Sequence, residues 1–137
     1  SPFVSAYTEQ IFVTETSDNT YLFPDFDAST YGFTAQSGSA TTNLYGFYGT
    51  PTLRVDGVNQ SPTNRGEVHA AQNGLHLISH IGANTSTWGA TRFGHYAGGG
   101  FTYAGTLSEW IIYDSDQSAN RAAIEANIAG RYGVTLS

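Results

Sequence analysis

The sequence predicts an all-β domain, an antiparallel two-sheet β-sandwich closed by one C-terminal α-helix. Short runs of aromatic and β-branched residues alternate with turns rich in Gly, Ser, Thr and Asn, as in a sandwich. Charged residues make up only 12% of the chain and aromatic residues 14%, which favours a β-sandwich over a helical bundle. Strong helical spacing is confined to the C-terminal end. A length of 137 residues suits one domain with one core. Because Met is absent, we expect residues 1–137 to be a processed or excised piece, or part of a longer chain.

The N-terminal part begins with an alternating segment over residues 5–16. Tyr7, Glu9, Ile11 and Val13 point to one side, and the residues between them point to the other. This pattern predicts a long, half-buried antiparallel strand. Further short strands are predicted at 21–23, 31–35, 43–48, 75–81 and 90–96.

The clearest turn signal lies at Asp56-Gly57. This pair suits the left-handed backbone angles of a type I′ turn, so it predicts a hairpin that joins residues 52–55 to Val58. Residues 66–72 are compatible with a brief helix.

The segment from 101 to 113 predicts a strand. Ile111, Ile112 and Tyr113 are apolar on both faces, so we expect this strand to lie inside the sandwich rather than at an edge.

A helix is predicted at about 118–132. Ile124, Ile128 and Tyr132 recur every four residues and form one apolar stripe that must be buried against the sheet. Ser118 or Asp116 is expected to cap its N-terminus. Arg131 complements the helix dipole in the last turn, and Gly133 is expected to end the helix.

These C-terminal residues carry a family resemblance. The segments FTYAGTLSEWIIY (101–113) and SDQSANRAAIEANIAGRYG (115–133) resemble the end of a concanavalin A-like, or laminin G-like, jelly roll. The closing segment is similar to a version found in structural proteins of bacterial viruses, and the 53–58 hairpin is similar to one in the laminin G-like family. The resemblance implies a two-sheet jelly roll, usually without catalysis, that binds carbohydrate or protein or builds virions.

The leading functional expectation is therefore a non-enzymatic virion module, such as a capsid decoration, spike or fibre domain. It would be located on the virion surface or outside the cell, with other virion proteins or copies of itself as partners. The alternative is a carbohydrate-binding module that contacts a host-surface glycan. A glycan hydrolase or lyase is the third possibility.

Charge and composition exclude several classes of function. The net charge is −6, all five basic residues are Arg, and Cys is absent. Nucleic-acid binding and attachment to anionic membranes need a basic surface, so neither is expected. No apolar run reaches the roughly 20 residues of a membrane span. Disulfides and cysteine-ligated zinc are excluded.

No catalytic residue is predicted. Glycoside hydrolysis needs two carboxylates at a set separation, and Glu109 has no acidic neighbour on its own strand face. Two interpretations of Glu109 stay open: a half-buried carboxylate that accepts backbone N–H bonds, or a general acid. His76 and His80 would lie roughly 13 Å apart on a strand, at about 3.3 Å per residue, too far to share one metal ion.

Calcium is the one metal that the sequence leaves open. Asp25 with Asp27, and Asp114 with Asp116, are close pairs of oxygen ligands. Turn and capping roles are the favoured explanation of both pairs, so no cofactor is expected.

Sugar stacking is the remaining binding hypothesis. Trp88 lies in a predicted loop, and Tyr45 and Tyr96 lie in predicted strands that could line a shallow cleft. The same aromatic residues could instead belong to the core or to contacts between subunits.

Overall fold

The computed structural model describes residues 5–17, 21–22, 35–38, 51–86 and 103–137. These residues are mostly β-structure, with a five-stranded antiparallel sheet, a two-stranded sheet and two helices. The strands are β1 Thr8–Thr16, β2 Tyr21–Leu22, β3 Ala35–Gln36, β4 Thr52–Val55, β5 Val58–Gln60, β6 Gly74–Ala83 and β7 Thr106–Tyr113, and the helices are α1 Arg65–Gln72 and α2 Arg121–Tyr132.

The larger sheet has the order β5-β4-β6-β1-β7, with β1 antiparallel to both β6 and β7. Because β1 pairs along both edges, it is an interior strand, next to β6, the middle strand of the sheet. Its residues from Thr8 to Thr14 are all buried. The predicted strand is therefore confirmed, but it is more buried than the half-buried strand that was expected.

The two faces of β1 belong to different hydrophobic clusters. Ile11 and Val13 pack with Leu77, Ile128 and Ala129, so α2 covers one face of the sheet. The alternation read from the sequence is thus confirmed.

The opposite face carries a second cluster, which contains Phe12 and Ile78 from the sheet, Val68 of α1 and Ala35 of β3. The short helix predicted at 66–72 is confirmed as α1, so the described residues contain a second helix besides the C-terminal one.

The Asp56-Gly57 hairpin is confirmed. Asp56 has φ 50° and Gly57 has φ 83°, and Val55 pairs with Val58 across the turn. These are the left-handed angles of a type I′ turn, which Asp tolerates and Gly adopts without strain.

The position predicted for the 101–113 strand is wrong within the described residues. There β7 is the last strand of the sheet, and its side chains are exposed or half-buried rather than buried. The apolar residues of β7 pack against the clusters on the two sides of the sheet. Ile111 contacts the cluster that contains Ile11, Val13 and Ile128, which we call the α2 cluster. Trp110 contacts the cluster that contains Phe12, Ile78 and Val68, which we call the Phe12 cluster. An apolar run therefore indicated two packed faces, but it carried no information about hydrogen bonding at the edge.

The C-terminal helix is confirmed, although its start differs from the prediction. It begins at Arg121, three residues later than expected, and Asn120 occupies the N-cap position without a side-chain capping bond. Asp116 accepts hydrogen bonds from the backbone N and Oγ of Ser118, which makes a turn before the helix rather than a cap. Gly133 ends the helix with φ 71°, as predicted.

Candidate functional site

Three arginine–glutamate pairs fasten α2 to the sheet, each to a different strand. Arg121 at the start of the helix binds Glu9 of β1, Glu125 in the middle binds Arg54 of β4, and Arg131 near the end binds Glu109 of β7. The helix is therefore held along its whole length by charge as well as by its apolar stripe. We refer to these contacts as the three helix pairs.

The first pair encloses a carboxylate that is fully buried. Glu9 is 0% exposed, and Arg121 donates from Nε and Nη2 to its two oxygens at 2.5 and 3.0 Å. The backbone N of Gln117 and the hydroxyl of Tyr7 donate to the same carboxylate at 3.0 and 3.3 Å. Glu9 thus organises the corner that leads into α2.

This environment shifts the pKa of the two side chains that donate to Glu9, Arg121 and Tyr7. The hydrogen bond to Glu9 is the main cause that raises the pKa of Arg121, and burial opposes it. Burial raises the pKa of the Tyr7 phenol first, and the negative charge of Glu9 adds to the effect. Both groups therefore keep their protons, and Glu9 is surrounded by donors.

The middle pair is a two-pronged contact. Arg54 donates from Nε and Nη2 to the two oxygens of Glu125, both at 3.0 Å, and the Oγ of Ser79 donates to Glu125 at 2.9 Å. The Glu125 side chain is 2% exposed. The remaining donors of Arg54 bind Asn59 Oδ1 and the carbonyl of Gly57, so this guanidinium also fixes the β4–β5 turn.

The third pair lies closer to solvent. Arg131 donates from Nη2 to Glu109 at 2.8 Å, and the two side chains are 52% and 18% exposed. Glu109 is half-buried as predicted, but its Oε1 atom accepts from an arginine side chain instead of a backbone N–H. The alternative role of Glu109 as a general acid remains an untested hypothesis.

An apolar groove of about 320 Å³ runs between α2 and β7. Its lining residues are Ile111, Tyr113, Asn120, Ala123, Ile124, Asn127, Ile128 and Arg131. Two of the residues that line the groove from the helix, Ala123 and Asn127, are uncharged and exposed. This groove is a candidate contact surface for another molecule.

The other predicted site residues divide into two groups. Trp88, Tyr45, Tyr96, Asp25 and Asp27 lie outside the described residues, so the sugar-binding hypothesis and half of the calcium hypothesis are untested there.

The second acid pair can be located. Asp114 and Asp116 are exposed, and Asp116 is bound by Ser118 and, at 3.4 Å, by Arg121. In the described part of the chain, no group of three His, Cys, Asp or Glu residues is placed to hold a metal ion.

The two histidines of β6 have separate environments. His80 is fully buried and packs edge-on against Phe12, with ring centroids 5.2 Å apart. His76 binds Asp56 in the β4–β5 turn. Both residues lie on β6, which is a strand as predicted, so the spacing argument against a shared metal ion applies.

Sequence reasoning missed the two buried helix pairs. Their signal is an acidic residue at an apolar position: Glu9 shares a face with Ile11 and Val13, and Glu125 lies between Ile124 and Ile128. A buried carboxylate needs a charged or hydrogen-bonding partner, but the sequence does not say which arginine supplies it.

No helix among the described residues combines the length and apolar character that crossing a membrane requires. A comparison with family models, with curated proteins and with solved structures finds no match to this chain.

Proposed function

We propose that this chain is a non-enzymatic module of a virion surface, a capsid decoration, spike or fibre domain that acts in assembly or host-surface contact. The observation that carries the non-catalytic part is the state of the buried carboxylates. Glu9 and Glu125 are each held by both prongs of an arginine and by further donors. Each of these carboxylates is engaged by an arginine in a structural ion pair, so its oxygens are not open to a substrate.

We further propose that the domain is a concanavalin A-like jelly roll with two sheets. The packing of Ala35 of β3 on the Phe12 side of the larger sheet supports this architecture, because a second layer would lie there. The virion setting rests on the resemblance of residues 101–133 to structural proteins of bacterial viruses.

The groove between α2 and β7 is the surface through which we expect another copy of the chain or a neighbouring virion protein to bind. It is apolar, and it is framed by a helix that the three helix pairs hold in place. A rigid apolar surface loses little conformational entropy on association.

The virion assignment is tested on particles. An antibody raised against the isolated domain should label intact virions from the source of the chain in electron micrographs. Labelling confined to material other than particles would refute the virion assignment.

The contact surface is tested with two variants in which arginine replaces an alanine of α2. Ala123 lines the groove, whereas its neighbour Ala122 is also exposed but does not line it. We expect Ala123→Arg to abolish incorporation into particles, or self-association in sedimentation experiments, and Ala122→Arg to preserve it. Equal behaviour of the two variants would remove the groove from the proposal.

A glycan array separates this proposal from the carbohydrate-binding alternative. Hits that disappear in Trp88→Ala would favour the lectin-like module, whereas an array without hits is expected for the structural role. Release of reducing or unsaturated ends from a polysaccharide panel, lost on Glu109→Gln, would establish the hydrolase or lyase instead.

A further inference from the structure

The β4–β5 turn is joined to the start of β6 through Asp56 and His76. The Nδ1 atom of His76 lies 2.7 Å from Asp56 Oδ2, and the backbone N of Leu77 donates to Asp56 Oδ1 at 2.9 Å. The backbone of Asp56 forms two more bonds: its N donates to the Leu77 carbonyl, and its carbonyl accepts from the N of Ser137. Asp56 therefore connects the hairpin, β6 and residue 137.

The second ring nitrogen of His76 also faces an oxygen. Its Nε2 atom lies 3.1 Å from the carbonyl of Asn73, the C-cap residue of α1. A carboxylate and a carbonyl both accept hydrogen bonds, and a neutral imidazole carries only one N–H. Only the protonated ring can donate to both oxygens at once.

We propose that His76 is a proton-dependent latch between the β4–β5 turn and the end of α1. As an imidazolium it donates to Asp56 and to Asn73 simultaneously. When the ring loses one proton, a nitrogen lone pair faces an oxygen lone pair, so one of the two contacts must break. The latch is independent of the proposed virion function.

The sign of the pH effect follows from this geometry. The folded chain offers the protonated ring two acceptors that the unfolded chain does not hold in place, so protonation favours folding. The stabilisation is present in mildly acidic solution and is lost as the pH rises and the ring loses its proton.

The charges around the ring agree with this sign. Asp56 is the carboxylate in contact with it. Across the sheet His76 pairs with the neutral Thr14, and the next β1 residue, Glu15, is exposed and pairs with Leu75. These neighbours on β1 add no positive charge.

On the helix side, the Arg54–Glu125 pair reaches the same turn. Arg54 donates to the Gly57 carbonyl, and a side chain placed on Gly57 would lie 3.8 Å from Glu125 Oε2. These two charges are paired with each other. On the α1 side, the titratable residue of the last turn is His69, whose carbonyl accepts from the backbone N of Asn73.

The test compares thermal and urea unfolding at about pH 5.5 and about pH 8.5, on either side of the ordinary histidine range. We expect the folded-to-unfolded ratio of the wild type to fall about tenfold across this interval, the size of one lost charge-assisted hydrogen bond. His76→Gln should lose most of this dependence. Asp56→Asn should lose it too, because Asn tolerates the left-handed turn but does not attract the imidazolium.

A third variant is the composition control. His95→Gln removes a histidine that lies outside the described residues, and it should keep the wild-type pH dependence. If His76→Gln keeps that dependence, or if His95→Gln abolishes it as completely as His76→Gln does, the latch is overturned.

Nitrogen NMR of the wild-type ring tests the latch even if the variants do not fold. Both ring nitrogens of His76 should carry protons at about pH 5.5. Deprotonation should shift the amide signals of Leu77 and Ser137, which bind Asp56. A neutral ring at about pH 5.5, or deprotonation that leaves both amide signals unchanged, would overturn the proposal.

Discussion

The sharpest prediction concerns the middle helix pair. Arg54→Met removes the guanidinium but keeps most of the aliphatic part of the side chain. Glu125, whose side chain is 2% exposed, then loses two of its three side-chain hydrogen bonds and retains only the one from Ser79. An ionised carboxylate is left in the interior without its counter-ion.

The expected cost follows from the burial of both partners. Breaking a buried ion pair by removing one partner typically costs about 3–5 kcal/mol. Arg54 is 20% exposed, so water can partly replace it, and we expect the lower end of that range, about 3 kcal/mol. Arg131→Met is the matched control. Arg131 is 52% exposed, and such a pair contributes about 0–1 kcal/mol.

Urea unfolding measures the difference. With a slope of about 1–3 kcal/mol per molar urea, a loss of 3 kcal/mol moves the midpoint by about 1–3 M. The double variant Arg54→Met/Glu125→Met tests the cause, because it leaves no buried charge. We expect it to be more stable than Arg54→Met alone, giving a large coupling energy in the double-mutant cycle.

Two results would refute this reasoning. If Arg54→Met and Arg131→Met lower the midpoint equally, burial of the carboxylate does not determine the cost. If the costs of Arg54→Met and Glu125→Met simply add, the two side chains act independently and the pair does not hold the helix.

Three further predictions concern other parts of the fold. Ile128 is 1% exposed in the α2 cluster, so Ile128→Asp should lower the free energy of unfolding by about 4 kcal/mol through a buried, unpaired charge; an unchanged melting temperature would contradict the position of the helix. Both side-chain amide atoms of Gln10 are buried without a hydrogen-bond partner, so Gln10→Leu should raise stability by about 1–2 kcal/mol in urea unfolding, and a loss of stability would show that the amide is satisfied in solution. The hydrogen bond from the backbone of Thr63 is the main cause that lowers the pKa of Glu67. This carboxylate therefore stabilises the start of α1 above the ordinary carboxyl pKa near 4.3 and loses that effect as the pH falls. Wild type should melt above Glu67→Gln at about pH 6.5 but not at about pH 3, and a difference that persists in acid would contradict the sign.

The sequence predicts those features that local rules determine. The hairpin turn follows from Asp56-Gly57 because few residue pairs accept two left-handed conformations in succession. The helix follows from the stripe Ile124, Ile128 and Tyr132, all of which pack in the α2 cluster. Both signals lie within a dozen residues, where backbone geometry alone restricts the outcome.

Features that depend on distant partners escaped prediction. Glu9 and Arg121 are separated by 112 positions, and the chain offered other arginines for the same carboxylate. The position of β7 as the last strand among the described residues was equally hidden, since an apolar run indicates packing on the faces of a strand and not pairing along its sides. For the two buried helix pairs, the sequence therefore indicated only that Glu9 and Glu125 are acidic residues next to apolar ones, and it did not indicate their arginine partners.

The interior position of β1 between β6 and β7 has a consequence for how the chain reaches its native state. Its two neighbours are β6 and β7, which follow it by about 60 to 100 residues along the chain. During synthesis, both edges of β1 stay unpaired until β6 and β7 have emerged from the ribosome. Such remote pairing slows folding and prolongs the exposure of adhesive strand edges. Refolding of this domain should accordingly be slow and concentration-sensitive, with aggregation competing most strongly before β7 docks.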